Sequence, residues 1–168
     1  MAEVDVVVGI ILKGCKFLVE HRSPDEEVDP DIACLPGGHV KANESREQAL
    51  KREMHEELGI EVEGLEFVCK NFYVASNGER QNAYCFLITS YQGDPVSKSA
   101  EKIFWEDNIE NLSLEVDKKT ILKLRELQPL SKNERLSSFN IHEEGTTTRN
   151  HNKTPKLQKN TQTDSFIN

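Results

Sequence analysis

The stretch GGHVKANESREQALKREMHEELGI, residues 37–60, concentrates acidic side chains on a segment that otherwise has every mark of a helix. Ser45 and Gln48 form a capping-box pattern at its start, and Gly59 stands where a left-handed cap commonly ends a helix. At about 100° per residue, one arc of this helix carries three carboxylates, which belong to Glu53, Glu56 and Glu57. Like charges at helical spacings of three or four destabilise a helix, so the arrangement needs an explanation.

A divalent cation would supply that explanation. Carboxylates this close raise one another's pKa, and Mg²⁺ or Mn²⁺ commonly bridges protein carboxylates to substrate phosphates. Acidic clusters on surface helices are often merely solvated, but two neighbouring features favour a binding site. Gly37 and Gly38 permit close approach of the backbone to a ligand, and Arg52 is able to hold a carboxylate in a fixed fork. The helix therefore indicates a metal platform beside a glycine turn.

The segments around this helix indicate a mixed α and β fold. Residues 16–22 are expected to pair with the first strand in a hairpin, because Lys13 and Gly14 mark a turn between them. The second predicted helix is amphipathic, with apolar residues near one face. The predicted strands are residues 4–13, 16–22, 65–74, 82–91 and 102–105, with a short strand running into the glycine turn, and the predicted helices are residues 45–58 and 116–127.

The chain is expected to form one folded domain, residues 1–128, followed by a polar tail, residues 129–168. The tail is rich in Asn, Thr, Ser and Lys and has no apolar period, which predicts disorder. The net charge of −8 argues against binding to nucleic acid or to an anionic membrane, since both need a basic surface. No apolar run is long enough to span a membrane. The four cysteines form no CxxC pair and fit no zinc spacing, so a reducing cytoplasm is expected.

Residues 38–60 resemble the signature of the Nudix hydrolases at every fixed position. That signature reads Gly, five of any residue, Glu, seven of any, then Arg-Glu-apolar-any-Glu-Glu-any-Gly-apolar. Its fixed positions in this chain are Gly38, Glu44, Arg52, Glu53, Met54, Glu56, Glu57, Gly59 and Ile60. The resemblance implies an α/β/α sandwich around a mixed β-sheet. It also implies a hydrolase that cleaves a diphosphate linked to another moiety, usually a nucleoside.

The same resemblance assigns roles to residues of the signature. Arg52 would orient the glutamates through ion pairs, and Glu44 would be a further, weaker metal ligand. The general base would be a glutamate of the signature, Glu53 or Glu56, or a glutamate on a later loop, for which Glu101 is the candidate. The implied ligands of Mg²⁺ or Mn²⁺ are Glu53, Glu56 and Glu57.

Residues that would contact the substrate lie mostly outside the signature. The backbone at Gly37 and Gly38 would touch a metal or a phosphate, and His39 would border the site. Arg22 would meet a phosphate or the base, although a plain surface charge is an equal alternative. Base recognition would come from the polar loop 23–31 or from aromatic residues on the later strands, for which packing in the core is the alternative role. These aromatic residues are Phe72, Tyr73, Tyr84 and Phe86.

The small size and single domain resemble the nucleoside triphosphate pyrophosphatases, including those that remove oxidised nucleotides. The expected reaction therefore converts a (d)NTP to the monophosphate and pyrophosphate. ADP-ribose hydrolases share a proline beyond the signature, and this chain has Ala75 at that place. An ADP-ribose or nucleotide-sugar pyrophosphatase and a non-catalytic nucleotide-sensing module stay open as alternatives. Family members often form dimers, so a homodimer is also expected, although no interface is recognisable in the sequence.

Overall fold

The computed structural model describes residues 3–128, and the predicted disorder of residues 129–168 lies outside the described residues. A single 3-10 turn, Ile109–Asn111, precedes the last helix. The strands are β1 Glu3–Ile10, β2 Leu12–Lys13, β3 Lys16–His21, β4 Ala33–Cys34, β5 Gly37–His39, β6 Glu61–Val74, β7 Arg80–Gln92 and β8 Lys102–Glu106, and the helices are α1 Arg46–Leu58 and α2 Glu115–Leu127.

The strands form two sheets. The first has the order β5-β1-β7-β6 and is mixed, because β1 runs parallel to β7 whereas the other pairs are antiparallel. The second is antiparallel, with β3 pairing β2, β4 and β8. The expected hairpin between the first strand and residues 16–22 is therefore wrong, except that the two residues of β2 do pair with β3. Both edges of β1 are already taken by β5 and β7, so no edge is left for β3.

The two helices lie on opposite faces of the first sheet, which confirms the α/β/α sandwich. Successive residues of a strand point to opposite faces, and in β7 Phe86 packs with Leu50 and Met54 of α1. The next residue, Leu87, packs with Ile121 of α2 instead.

The ends of α1 follow the predicted capping chemistry. The Ser45 side chain accepts a hydrogen bond from the Gln48 backbone N–H, and the Gln48 side chain accepts one from the Ser45 N–H. Gly59 closes the helix in the left-handed conformation, at φ +71°. These contacts fix both ends of α1. They thereby fix where along the helix the signature glutamates lie. No helix among residues 3–128 is both long enough and apolar enough to cross a membrane.

Candidate active site

A cavity of about 440 Å³ is lined by residues of both sheets and of both helices. Its volume lies within the range of about 300–1,000 Å³ that small-molecule sites occupy. We define its acidic wall as the side chains of Glu20, Glu53 and Glu57, and its apolar wall as those of Val6, Tyr73, Ala83, Leu114 and Val116. The residues of the apolar wall pack together as one cluster. The cavity therefore joins a charged surface to an apolar one.

The glycine turn allows β1 and α1 to approach the same point. Gly37 and Gly38 pair with Val8 and Val7 of β1. A Cβ on Gly37 would collide with the Val7 carbonyl, and a Cβ on Gly38 would collide with the Glu53 carboxylate. Both glycines line the cavity, and a side chain at either position would force β1 or the Glu53 carboxylate to move.

Arg52 holds three carboxylates at the edge of the acidic wall. Its Nη1 donates to Glu53 Oε1 at 2.6 Å and to Glu56 Oε2 at 3.1 Å, and its Nη2 donates to the His39 carbonyl at 2.9 Å. It also binds Glu44 through Nη2 and Nε. The Arg52 hydrogen bonds lower the pKa of the Glu44 carboxyl to about 2, with help from the Lys41 N–H. This geometry agrees with the orienting role predicted for Arg52.

The signature glutamates do not all face the cavity. Glu53 and Glu57 line it, whereas Glu56 and Glu44 do not. The Glu56 side chain is 50% exposed and pairs with Arg52 and, at 3.9 Å, with Lys41. Within residues 3–128, no three His, Cys, Asp or Glu side chains converge into a ready-made metal cluster. The three glutamates predicted to share one arc of the helix are thus divided. Glu53 and Glu57 line the cavity, and Glu56 lies at the outer surface.

The acidic wall nevertheless fits a hard divalent cation. Glu57 Oε2 and Glu20 Oε2 are both buried and find no hydrogen-bond partner among residues 3–128. Burial, followed by the charges of Glu20 and Glu53, raises the pKa of the Glu57 carboxyl well above its usual range. Unsatisfied carboxylate oxygens in an acidic, partly closed space are the ligands that Mg²⁺ and Mn²⁺ prefer. The residues present therefore suit such an ion.

The other predicted substrate residues lie at the cavity, but their polar groups already have partners. Arg22 lines it and donates to the carbonyls of Val28 and Asp29 at 3.1 and 3.2 Å. His39 also lines it and lies 2.7 Å from Glu79 Oε1. Arg22 thus orders the loop that forms one side of the cavity.

Glu101 lies outside the cavity lining. Its carboxylate is 55% exposed and sits 3.2 Å from His21 Nδ1. The residues before it, Ser99 and Ala100, do line the cavity. The loop that carries Glu101 therefore lines the cavity through Ser99 and Ala100, whereas the Glu101 side chain lies beside His21.

Of the four aromatic residues considered for base recognition, only Tyr73 lines the cavity. Phe86 is a core residue, 3% exposed. Tyr84 lies under the guanidinium of Arg46, 3.5 Å from the ring centre, and Phe72 is exposed. The loop 23–31 does contribute, through Glu26, Val28 and Asp29.

Sequence reasoning missed two acidic residues of the cavity. Asp117 is almost completely buried, and its Oδ2 accepts a hydrogen bond from the Leu35 N–H at 3.0 Å. Burial raises the pKa of Asp117 to about 7, with a further contribution from the charge of Glu20. Asp117 lies on the buried side of α2 together with Thr120, Ile121 and Leu124. A charged residue on the apolar face of a predicted amphipathic helix is the sequence feature that could have identified it. Glu20 could have been identified in the same way, because it is a charged residue within the buried run of β3.

The comparisons with known proteins agree with this geometry. The family model described as NUDIX domain matches residues 4–128. The 8-oxo-dGTP diphosphatase of Buchnera aphidicola subsp. Schizaphis graminum is 34% identical over 107 residues, covering 62% of this chain and 78% of the relative. The CTP pyrophosphohydrolase of Escherichia coli K12 is 30% identical over 105 residues, covering 62% and 76%. A MutT NUDIX hydrolase structure from Burkholderia pseudomallei is 25% identical with a TM-score of 0.63, covering 76% of this chain and 100% of that one.

Proposed function

The chain belongs to the Nudix family of hydrolases, and from this membership we propose that it hydrolyses nucleoside triphosphates to the monophosphate and pyrophosphate. Oxidised deoxynucleotides such as 8-oxo-dGTP are included among the proposed substrates. The observation that carries the proposal is the cavity, in which an acidic wall suited to a metal ion that would bind the phosphates adjoins an apolar wall suited to a base. The names of the relatives, an 8-oxo-dGTP diphosphatase and a CTP pyrophosphohydrolase, support a triphosphate substrate.

Mg²⁺, or Mn²⁺, is the proposed cofactor. Glu53 and Glu57 would hold it from inside the cavity, and Glu56 would reach it from the outer edge. Glu44, whose oxygens are engaged by Arg52 and Lys41, would act as the weaker ligand or keep Arg52 in place. When bound, such a cation neutralises diphosphate charge and lowers the pKa of a coordinated water.

The protein residues would then position the reactants. Gly37 and Gly38 line the cavity beside Glu53, and their backbone would contact the diphosphate there. Glu53, fixed by Arg52 and lining the cavity, is the proposed general base that takes the proton of the attacking water. Glu101 is the less favoured base, because its carboxylate pairs with His21 away from the cavity lining.

The apolar wall would bind the nucleobase. Tyr73 and Val116 offer flat, apolar contact area. Asp117, with a pKa near neutrality, is able to donate or accept a hydrogen bond at a base edge. Arg22 and His39 would contact the phosphates after exchanging their present partners.

The proposal also covers location and partners. A cytoplasmic enzyme would keep the four cysteines reduced, and all four are free: Cys15, Cys34, Cys69 and Cys85. The proposed partner is a small nucleotide, without nucleic acid or a membrane surface. A homodimer is proposed as well, and sedimentation at several protein concentrations would test it.

The deciding experiment measures phosphate and pyrophosphate release with Mg²⁺ from dNTPs, 8-oxo-dGTP, CTP, ADP-ribose, nucleotide sugars and dinucleoside polyphosphates. Glu57→Gln is the test variant, and Glu66→Gln, at an exposed position of β6, is the matched control. Pyrophosphate release from triphosphates that vanishes only in Glu57→Gln would support the proposal. Turnover confined to ADP-ribose or nucleotide sugars would overturn the substrate, and nucleotide binding without any turnover would overturn the reaction.

A further inference from the structure

Glu20 is a buried carboxyl group that the proposed roles leave unexplained. The residue is 3% exposed and stands in β3 behind Phe17, Leu18 and Val19, which are all buried. In the described part of the chain its Oε2 has no hydrogen-bond partner, and its Oε1 has only the thiol of Cys34, at 3.6 Å. A thiol is a weak donor. An apolar residue would fill this position at lower cost, so the carboxyl group requires a reason.

The direction of the Glu20 side chain follows from strand geometry. Residues two apart in a strand point to the same face, and Leu18 packs in the cluster formed with Leu50, Met54 and Leu58 of α1. Glu20 therefore points toward α1 as well. Glu20, Glu53 and Glu57 all line the one cavity.

No cation among the described residues forms an ion pair with this group, although the charge of Arg22 opposes the rise in its pKa that burial causes. Within residues 3–128, neither Glu20 nor Glu57 takes part in an ion pair, and each has one oxygen without any partner. The nearby Arg22 lines the cavity, but its guanidinium is engaged by Glu26 and by the carbonyls of the loop. Two buried carboxyl groups, one from β3 and one from α1, therefore line the same cavity without an ion pair among the described residues.

We propose that Glu20 is a metal-binding carboxylate that extends the proposed metal site from α1 to β3. The ion would then be held by Glu20 from the second sheet and by Glu57 from α1, the two residues whose Oε2 atoms lack a partner among the described residues. One consequence is that metal binding ties β3 to α1 across the cavity. This inference rests on the proposed function only in that Glu57 binds the metal, and the test separates the two.

The test measures Mn²⁺ binding to the full chain without substrate, by calorimetry and by the electron paramagnetic resonance signal of free Mn²⁺. Four proteins are compared: wild type, Glu20→Gln, Glu57→Gln and Glu66→Gln. Glutamine keeps the shape of the side chain and removes the charge. We expect Glu20→Gln to bind Mn²⁺ at least about tenfold more weakly, since the loss of a supporting partner of a metal ligand already costs that much. Glu66→Gln should bind as the wild type does.

The outcomes distinguish the two proposals. Weakened binding in Glu57→Gln with unchanged binding in Glu20→Gln would overturn the role of Glu20 and leave the metal site intact. Unchanged binding in both variants would overturn the metal site and the role of Glu20 together.

A second measurement on the wild type does not depend on the folding of any variant. Mn²⁺ should slow amide hydrogen exchange in β3 around Glu20 as well as in α1. Protection confined to α1 would overturn the inference.

Discussion

Arg52 binds Glu44 through two parallel hydrogen bonds, from Nη2 to Oε1 at 2.6 Å and from Nε to Oε2 at 3.1 Å. This fork fixes the plane of the guanidinium. The same group then presents Nη1 to Glu53 at 2.6 Å. The orientation of the Glu53 carboxylate in the cavity therefore depends on a residue eight positions before Arg52 in the sequence.

Arg52→Lys should impair catalysis more than substrate binding. An ammonium group carries the same charge but has no planar fork, so it cannot hold Glu44 and Glu53 at the same time. We expect kcat to fall on the order of 10²-fold, because a misplacement of about 1 Å at a reacting group costs that much. Steady-state kinetics with Mg²⁺ and a triphosphate substrate would measure it. Arg46→Lys is the control, since Arg46 pairs with Asp5 outside the cavity lining, and an equal loss in both variants would contradict the prediction.

Glu56→Gln should abolish Mg²⁺-dependent hydrolysis and leave the fold intact. Glu56 is half exposed, and its only ion pairs within residues 3–128 are with Arg52 and Lys41, so the amide should change the free energy of unfolding by less than about 1 kcal/mol. Thermal unfolding would measure the stability, and pyrophosphate release would measure the activity. Near-normal activity would remove Glu56 from the metal ligands and leave Glu53 and Glu57 as the ligands from α1.

The helix that carries the signature was predictable because its determinants are local. The capping box and Gly59 are adjacent in sequence to the ends they fix, and α1 begins within one residue of the prediction. The start of β6 was not predicted, because its register shifts around Gly64 interrupt the alternation that marks a strand. The hairpin was wrong for a different reason. Which strand occupies an edge of β1 is decided by residues far away in the sequence.

The residues of the candidate site also differ in whether the local sequence predicts them. Of the signature residues predicted as metal ligands, Glu53 and Glu57 line the cavity and Glu44 and Glu56 do not. Glu20 and Asp117 are each a single acidic residue in an otherwise apolar segment, and their meaning comes only from burial in the folded chain. The prediction for Glu101 used its place on a later loop, but the position of its side chain, which lies beside His21, is decided only in the folded chain.

Tyr73→Leu should weaken nucleotide binding without a comparable loss of kcat. Tyr73 lines the apolar wall, and an aromatic ring that stacks on a base contributes about 1–3 kcal/mol. We therefore expect KM for a triphosphate to rise by roughly 5- to 150-fold. Tyr84→Leu is the matched control, because Tyr84 lies under Arg46 and outside the cavity lining. A fall in kcat at unchanged KM would exclude Tyr73 as a base contact.

Asp117→Asn should stabilise the protein at alkaline pH and not at acidic pH. The unfolded chain loses the Asp117 proton near the ordinary pKa of 3.8, whereas burial keeps it on the folded protein up to about pH 7. Between these values the unfolded state binds fewer protons, so the free energy of unfolding of the wild type falls as the pH rises, and the loss is complete above about pH 7. At about 1.4 kcal/mol per pKa unit, the penalty is on the order of 4 kcal/mol.

The asparagine keeps an oxygen that can accept from the Leu35 N–H but cannot ionise. Urea unfolding of both proteins without divalent metal, at roughly pH 4, 6 and 8, would measure the difference in the free energy of unfolding. That difference should grow with pH in favour of Asp117→Asn and level off above about pH 7, because the wild-type carboxyl is then ionised in both states. A difference that does not change with pH would mean that Asp117 titrates normally despite its burial, and its proposed contact with a base edge as a hydrogen-bond donor would then fail.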